Sequence, residues 1–328
     1  MAAAGRRIVA AFVTLFDLLS VSASTVRLAI PLILAALGGL FSERAGVVAL
    51  GLEGLMLAGA FAAGSIAAVT GSAWAGLAAA MLVAIAVALV HGYAAIAQLG
   101  DQIVSGIALN ILIAGLTPVL GLAWFGEGAG TPALPPGARF MPVILPGADR
   151  LGPVWRLLVS GHNLLVYVTA ALLPVLVWLL YSTRFGLRLR AVGENPHAVD
   201  AAGLSVARLR YSGLVLCGAL SGMAGAYLAI AEGAGFTPDM SAGRGYLALA
   251  ALIFGKWRVL PACGACLLFA FTDALQVRLQ GVVLPVVGIV PVQFVEALPY
   301  LLTLLLLAGF VGTARAPRAL GQPFVKTR

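Results

Sequence analysis

The sequence predicts an all-α, polytopic transmembrane helical bundle, with about ten membrane segments arranged as two inverted repeats containing broken helices. Three observations carry that expectation. Hydrophobic residues make up 62% of the 328-residue chain and charged residues only 10%, more apolar surface than one soluble core of this length can bury. The apolar residues fall in runs of helical length, rather than in the alternating segments of about ten residues that build an outer-membrane barrel. The basic residues gather in a few loops, as they do on the cytoplasmic side of a bilayer.

Taken in order, the apolar segments lie near residues 8–23, 26–41, 45–68, 74–98, 103–124, 163–181, 212–231, 244–258, 260–279 and 293–312. Several are short for the roughly 20 residues of a regular span, and 8–23 and 244–258 are the weakest. The start imitates a signal peptide, with Arg6 and Arg7 before an apolar run and small residues through Ser24, but Asp17 interrupts that run and further spans follow. An uncleaved first crossing is therefore expected. Ten crossings place both termini in the cytoplasm. Of the twenty Lys and Arg residues, six (Arg27, Arg139, Arg150, Arg156, Arg244 and Arg278) then remain outside and fourteen inside, the asymmetry that the positive-inside bias requires.

The whole chain reads as one membrane domain, residues 1–328: a first half about 26–124, an external loop 125–162, a central polar loop 183–210, a second half about 212–312 and a cytoplasmic tail 313–328. The external loop is too rich in Pro and Gly for a span, and it is expected to pack over the outer mouth. Each half has the order helix, Gly-interrupted segment, helix, helix. The halves begin on opposite faces, which is the inverted repeat that transporters use for alternating access.

The central stretch Thr183–Arg210 carries Arg184, Arg188, Arg190, Arg208 and Arg210 against Glu194 and Asp200. Within it Asn195 is a suitable N-cap, Pro196 fits the first helical position and Gly203 supplies a left-handed stop. A short helix over Pro196–Ala202 follows, with Ala198, Ala201 and Ala202 on its surface. Such a helix between spans either docks another protein or is an ordinary solvated turn.

Candidate pathway residues sit on the interrupted segments and their neighbours. Glu53 lies inside the first, where an ionisable group must face a partner or a wet cavity; it either lines a pathway or pairs with a neighbouring helix. Arg244 opens the second, either presenting a broken helix to a solute or anchoring at a lipid headgroup. Ser105 and Asn110 interrupt an apolar helix, and Asp273 and Gln276 lie one turn apart on another. Such groups hydrogen-bond a neutral polar solute or one another across helices.

No catalytic constellation is found. His91, His162 and His197 are far apart in sequence, and there is no phosphate-binding Gly-rich loop with Lys-Ser/Thr, no metal-protease His pair and no nucleophile elbow. Cys263 and Cys266 form a CxxC among small apolar residues, where packing is the favoured explanation over redox or metal chemistry. No metal site, bound cofactor or nucleic-acid partner is expected. The +8 charge is assigned to membrane topology.

Three stretches, ALGGLFSERAGVVALGLEGLMLAGAFAA at 36–63, GENPHAVDAAGL at 193–204 and GRGYLALAALIFGKWRV at 243–259, resemble the permease subunits of bacterial ABC importers of the branched-chain amino acid, ribose and simple-sugar superfamily. More narrowly they resemble its nucleoside-uptake branch. DQIVSGIALNILIAGLTP and EALPYLLTLLLLAGF extend the likeness across nearly the whole chain. The resemblance implies an inner-membrane subunit forming the translocation pathway for nucleosides or related purines, with a simple sugar as the alternative cargo. An ion-coupled secondary transporter is the rival from another class, and it lacks its carboxylate relay here. The resemblance further implies that Gly193, Glu194, Asn195, Pro196, Ala202 and Gly203 belong to the segment that couples to a separate ATPase subunit, where ATP and Mg are held. A second related permease subunit and an external substrate-binding lipoprotein complete the implied assembly. At Ala49 the chain departs from the branch, which usually carries Asn there, and this puts a substrate contact at that position in doubt.

Overall fold

A computed structural model describes residues 2–126, 128–146, 154–155, 159–279, 283–284, 288–289, 297, 301 and 315–326; for residues 2–18 and the short strands beyond residue 280 it describes the backbone alone. Ten helices are described: α1 (Ala2–Arg44), α2 (Leu52–Thr70), α3 (Ala73–Gly92), α4 (Gln102–Phe125), α5 (Leu164–Ser182), α6 (Arg184–Glu194), α7 (Pro196–Ala201), α8 (Val206–Ala226), α9 (Arg244–Phe254) and α10 (Val259–Leu279). Short π-helical turns extend α3 over Tyr93–Ala97 and α8 over Tyr227–Glu232.

Seven helices among the described residues are long and apolar enough to cross a membrane. The chain is thus a polytopic helical membrane protein, and two of the ten expected segments differ in kind. Segments 8–23 and 26–41 lie on one helix of 43 residues, about 65 Å at 1.5 Å per residue. The stretch between them, Ser20–Thr25, contains neither Gly nor Pro to turn the chain, and Pro31 is absorbed within the helix, as membrane helices tolerate where neighbours satisfy the freed backbone groups. Ala2 and Arg44 therefore stand at opposite ends of one helix. Segment 244–258 holds a helix of only 11 residues, about 16 Å long and too short to cross. The last expected segment, 293–312, lies almost wholly outside the described residues.

Helices α1, α2 and α8 form the centre: 78%, 83% and 78% of their apolar windows are buried, against 28% for α3, α4 and α5. α2 is apolar all round, as befits a helix enclosed by others. It packs on α3, α4 and α8, while α1 packs on α8, α9 and α10. Glycine makes the tightest contact possible. A Cβ on Gly59 of α2 would meet Gly222 Cα of α8 at 2.7 Å, and one on Gly222 would meet Ala80 O of α3 at 2.5 Å, the close backbone approach that small residues allow between membrane helices. Leu82, Val90, Ile103, Ile111, Val119 and Trp178 point outward as an exposed apolar surface, suited to lipid.

At one end of the bundle the α2–α3 turn at Gly71 meets the loop after α4. That loop does pack over this end. Its backbone bonds along the end of α8, with Thr131 N to Phe236 O (3.0 Å), Leu134 N to Ala234 O (2.8 Å) and Phe140 N to Ile230 O (2.8 Å), and two short antiparallel strands, β1 (Pro142–Val143) and β2 (His162–Asn163), close it. A second such pair, β3 (Val283–Leu284) and β4 (Gly288–Ile289), lies beyond α10. The opposite end gathers Arg44, the α9–α10 turn and the α6–α7 segment. Stretch 183–210, expected as a loop around one short helix, is instead α6, α7 and the start of α8. Thr183 caps α6 by accepting from Gly186 N at 3.1 Å.

Candidate functional site

Residues 45–51, between α1 and α2, carry no regular helix although they begin the expected span 45–68. Backbone polar groups in a membrane interior need partners, and side chains from three helices, α1, α3 and α4, supply them. Glu43 accepts from Ala49 N at 3.2 Å and from Trp257 Nε1 at 2.5 Å. Gln102 accepts from Val48 N at 2.8 Å, and His91 Nε2 lies 3.2 Å from Val48 O while its Nδ1 lies 3.0 Å from Ser105 Oγ. Asn110 donates to Leu50 O at 2.9 Å and accepts from Gly54 N at 2.8 Å.

The last of these bonds caps α2, whose own N-cap, Gly51, has no side chain to offer. The start of α9 has the same deficiency at Gly243, and Glu53 makes it good. Its two carboxylate oxygens accept from Gly243 N at 2.8 Å and Gly245 N at 2.6 Å, placing negative charge at the positive end of a helix. A Cβ on Gly245 would meet Glu53 N at 2.5 Å, so only glycine lets the two helix starts meet. Asn110 lies eight residues into α4, about 12 Å from its start, and α9 rises about 16 Å from the Arg44 end. Both helix starts therefore meet about 12–16 Å in from the Arg44 end of the bundle.

Beside this junction a cleft of about 220 Å³ is lined by Glu53, Gly54, Asn110, Asp239, Gly243 and Tyr246, with Leu57, Ile111 and Ala114. Tyr246 is half exposed there and its hydroxyl accepts from Asn110 Nδ2 at 3.0 Å. Of the residues expected from sequence, Glu53 and Asn110 are thus brought together. Arg244 opens α9 and Asp273 lies on α10, both half-buried, and neither lines the cleft. Ser105 supports His91 rather than the cleft. Gln276 is half-buried on α10, outside the cleft lining.

At the Arg44 end, Asn195 closes α6 and opens α7, its side chain accepting from Ala198 N at 3.1 Å. Helix α7 ends at Ala201, one residue before the expected Ala202, and Gly203 takes φ +78°. Ala198, Ala201 and Ala202 are exposed and only Val199 turns inward. Gly193 is forced by proximity: a Cβ there would lie 2.2 Å from Arg44 O. The Arg44 side chain in turn donates to Trp257 O at 2.9 and 2.5 Å, which ties α1, α6 and the α9–α10 turn together.

Residues 22–308 match the family described as branched-chain amino acid transport system / permease component. The chain belongs to that family. Among its relatives, the guanosine ABC transporter permease protein NupQ of Bacillus subtilis is 38% identical over 309 residues, covering 92% of this chain and 95% of the relative. The nucleoside ABC transporter permease protein NupC of Lactococcus lactis is 35% identical, covering 91% and 94%, and the putative glucose ABC transporter permease protein TsgC13 of Haloferax volcanii is 35% identical, covering 87% and 89%. No solved structure matches the chain.

The permease is therefore the multi-pass membrane component of an ABC transport system, a family that implies an ATPase partner and a substrate-binding protein. Several of its site residues were not visible in the sequence. Glu43, His91, Gln102, Tyr246 and Trp257 all hold or adjoin the permease's two helix breaks. A buried His or Gln inside an apolar run was the available signal, because each needs a polar partner at that depth.

Proposed function

We propose that the permease forms the translocation pathway of an ABC importer for nucleosides or related purines in the bacterial inner membrane. The observation that carries this reading is the 38% identity across 92% of the chain to a permease named for guanosine. Its geometry supports the same reading. The cleft beside the helix junction offers Asn110 and Tyr246 as neutral hydrogen-bonding groups with an aromatic face, suited to a base or ribose.

On this reading Asp239, Tyr246 and Asn110 open sideways at membrane depth, where polar groups face a pathway or a protein rather than lipid. A second, related permease subunit closes the cleft from that side. The two broken segments, 45–51 with α2 and 233–243 with α9, belong to the two halves of an inverted repeat. Arg244 and Asp273 flank the same route, and Ser105 and Gln276 take supporting places. The single permease domain of residues 1–328 has its Arg44 end in the cytoplasm, where Arg184, Arg188, Arg190, Lys256 and Arg258 cluster. There Gly193–Gly203, including Glu194, Asn195, Pro196 and Ala202, docks on the ATPase, which holds ATP and Mg; an external lipoprotein delivers the cargo.

The test is uptake of labelled guanosine into proteoliposomes holding both permeases, the ATPase and the receptor. ATP-dependent accumulation is expected. Accumulation by this chain alone, driven by a salt or proton gradient, overturns the reading. A simple sugar is the second reading, favoured by the 35% identity to the putative glucose permease. Competition between guanosine and glucose in the same vesicles separates the two.

A further inference from the structure

Residues 315–326 return to the bundle and lie across its Arg44 end. Two backbone bonds anchor them: Ala319 N donates to Gly193 O at 2.8 Å, and Gly321 N donates to Gly46 O at 3.2 Å. The first acceptor ends the helix before α7, and the second opens the unwound stretch that leads to α2. Further along, the Phe324 ring packs on His197 of α7, with centroids 5.1 Å apart and planes tilted by 58°, and Lys326 Nζ lies 3.8 Å from Asp200 of α7. A cavity of about 380 Å³ remains between this segment, Asp200 and the α7–α8 connection at Gly203–Ala207.

One short segment thus touches α7, Gly193 behind it and the helix break that leads to the junction of the two helix starts. The guanidinium of Arg210 lies at the same place. It is buried, with Nε and Nη2 lacking a hydrogen-bond partner among the described residues, and Nη2 would sit 3.3 Å from a Cβ on Gly46, with Ala319 O at 3.2 Å from the same point. A buried cation so poorly satisfied favours any state in which its cover lifts.

We propose that residues 315–326 are a coupling strap, which links movement of α7 to the 45–51 break and through Asn110 and Glu53 to the pathway. The strap rests on the docking role given above to α7, and it adds a part that docking alone does not require. Its contacts are local and two-sided, so a displaced α7 pulls on Gly46 as well as on Gly193.

The experiment compares the complete complex with Phe324→Ala and with a chain lacking residues 315–328, measuring ATPase copurification, ATP hydrolysis and uptake in proteoliposomes. With Phe324→Ala, copurification holds while uptake per ATP hydrolysed falls about threefold to thirtyfold, the range of coupling mutations; the truncated chain falls at least as far. Unchanged uptake per ATP with Phe324→Ala overturns the strap, whatever the truncated chain does. Loss of ATPase copurification in the variants overturns it too, since the segment is then simply part of the docking face. Absence of the ATPase from the wild-type complex removes the docking role itself.

Discussion

Replacing Glu53 by Gln tests whether this carboxylate holds the bundle's two helix starts together. The wild-type side chain receives two backbone N–H groups, from Gly243 and Gly245, at 2.8 and 2.6 Å. Gln keeps one acceptor oxygen and turns an amide N–H toward the second glycine N–H. One charge-assisted bond is lost, about 1.5–3 kcal/mol, together with about 0.3–1 kcal/mol of attraction to the start of α9. At tenfold per 1.4 kcal/mol, amide exchange in the first turn of α9 accelerates by about tenfold to several hundredfold. Hydrogen exchange followed by mass spectrometry on peptides spanning residues 240–250 reads that change directly. Wild-type protection of α9 combined with a collapse of uptake refutes the reasoning, because the carboxylate then acts on the solute and does not serve as a cap.

Other outcomes follow from the same geometry. Asn110→Ala removes the side chain serving Gly54 N, Leu50 O and Tyr246 Oη. It destabilises the junction by about 1–3 kcal/mol and lowers uptake more than assembly; unchanged uptake kinetics return Asn110 to a structural role. Gly222→Val drives side-chain atoms into Ala80 O and Ala84 Cβ and costs at least about 1–3 kcal/mol, read as loss of monodisperse protein on size-exclusion chromatography. Cys217, Cys263 and Cys266 are all buried, so Ala198→Cys supplies a selectively accessible thiol. A membrane-impermeant maleimide labels it in inverted vesicles, and a bound ATPase protects it; equal labelling with and without the ATPase counts against docking at α7. Asn195→Ala removes the cap on α7, weakening that helix by about 1 kcal/mol, and is seen as reduced stimulation of ATP hydrolysis by cargo-loaded receptor.

How much was legible depends on whether a feature is local. The α7 signals, Asn195, Pro196 and Gly203, are adjacent in the chain and act within one turn, and they place the helix to within a residue. α6 was not foreseen because its charged face and two glycines read as loop until Thr183 is seen capping it and Leu189 and Val192 are seen buried. In the site, Glu53 and Asn110 stood out because a polar group is costly at that depth. Their partner Tyr246 did not, since an aromatic residue near a helix start is unremarkable until a helix 136 residues earlier in the chain reaches it. His91 was set aside for its isolation in sequence, yet folding brings Ser105 and Val48 to either side of its ring.

Membrane residence, helical class, the basic end of the bundle and the position of α7 are written into composition and short-range order, because hydropathy, charge and capping act over a few residues. The depth at which two helix starts meet, the choice of Glu53 as a cap rather than an open ligand, the single run of α1 and the return of residues 315–326 to α7 belong to the tertiary structure. Each depends on backbone groups left unpaired in one segment finding partners in another, and only the folded chain brings those groups within hydrogen-bonding distance.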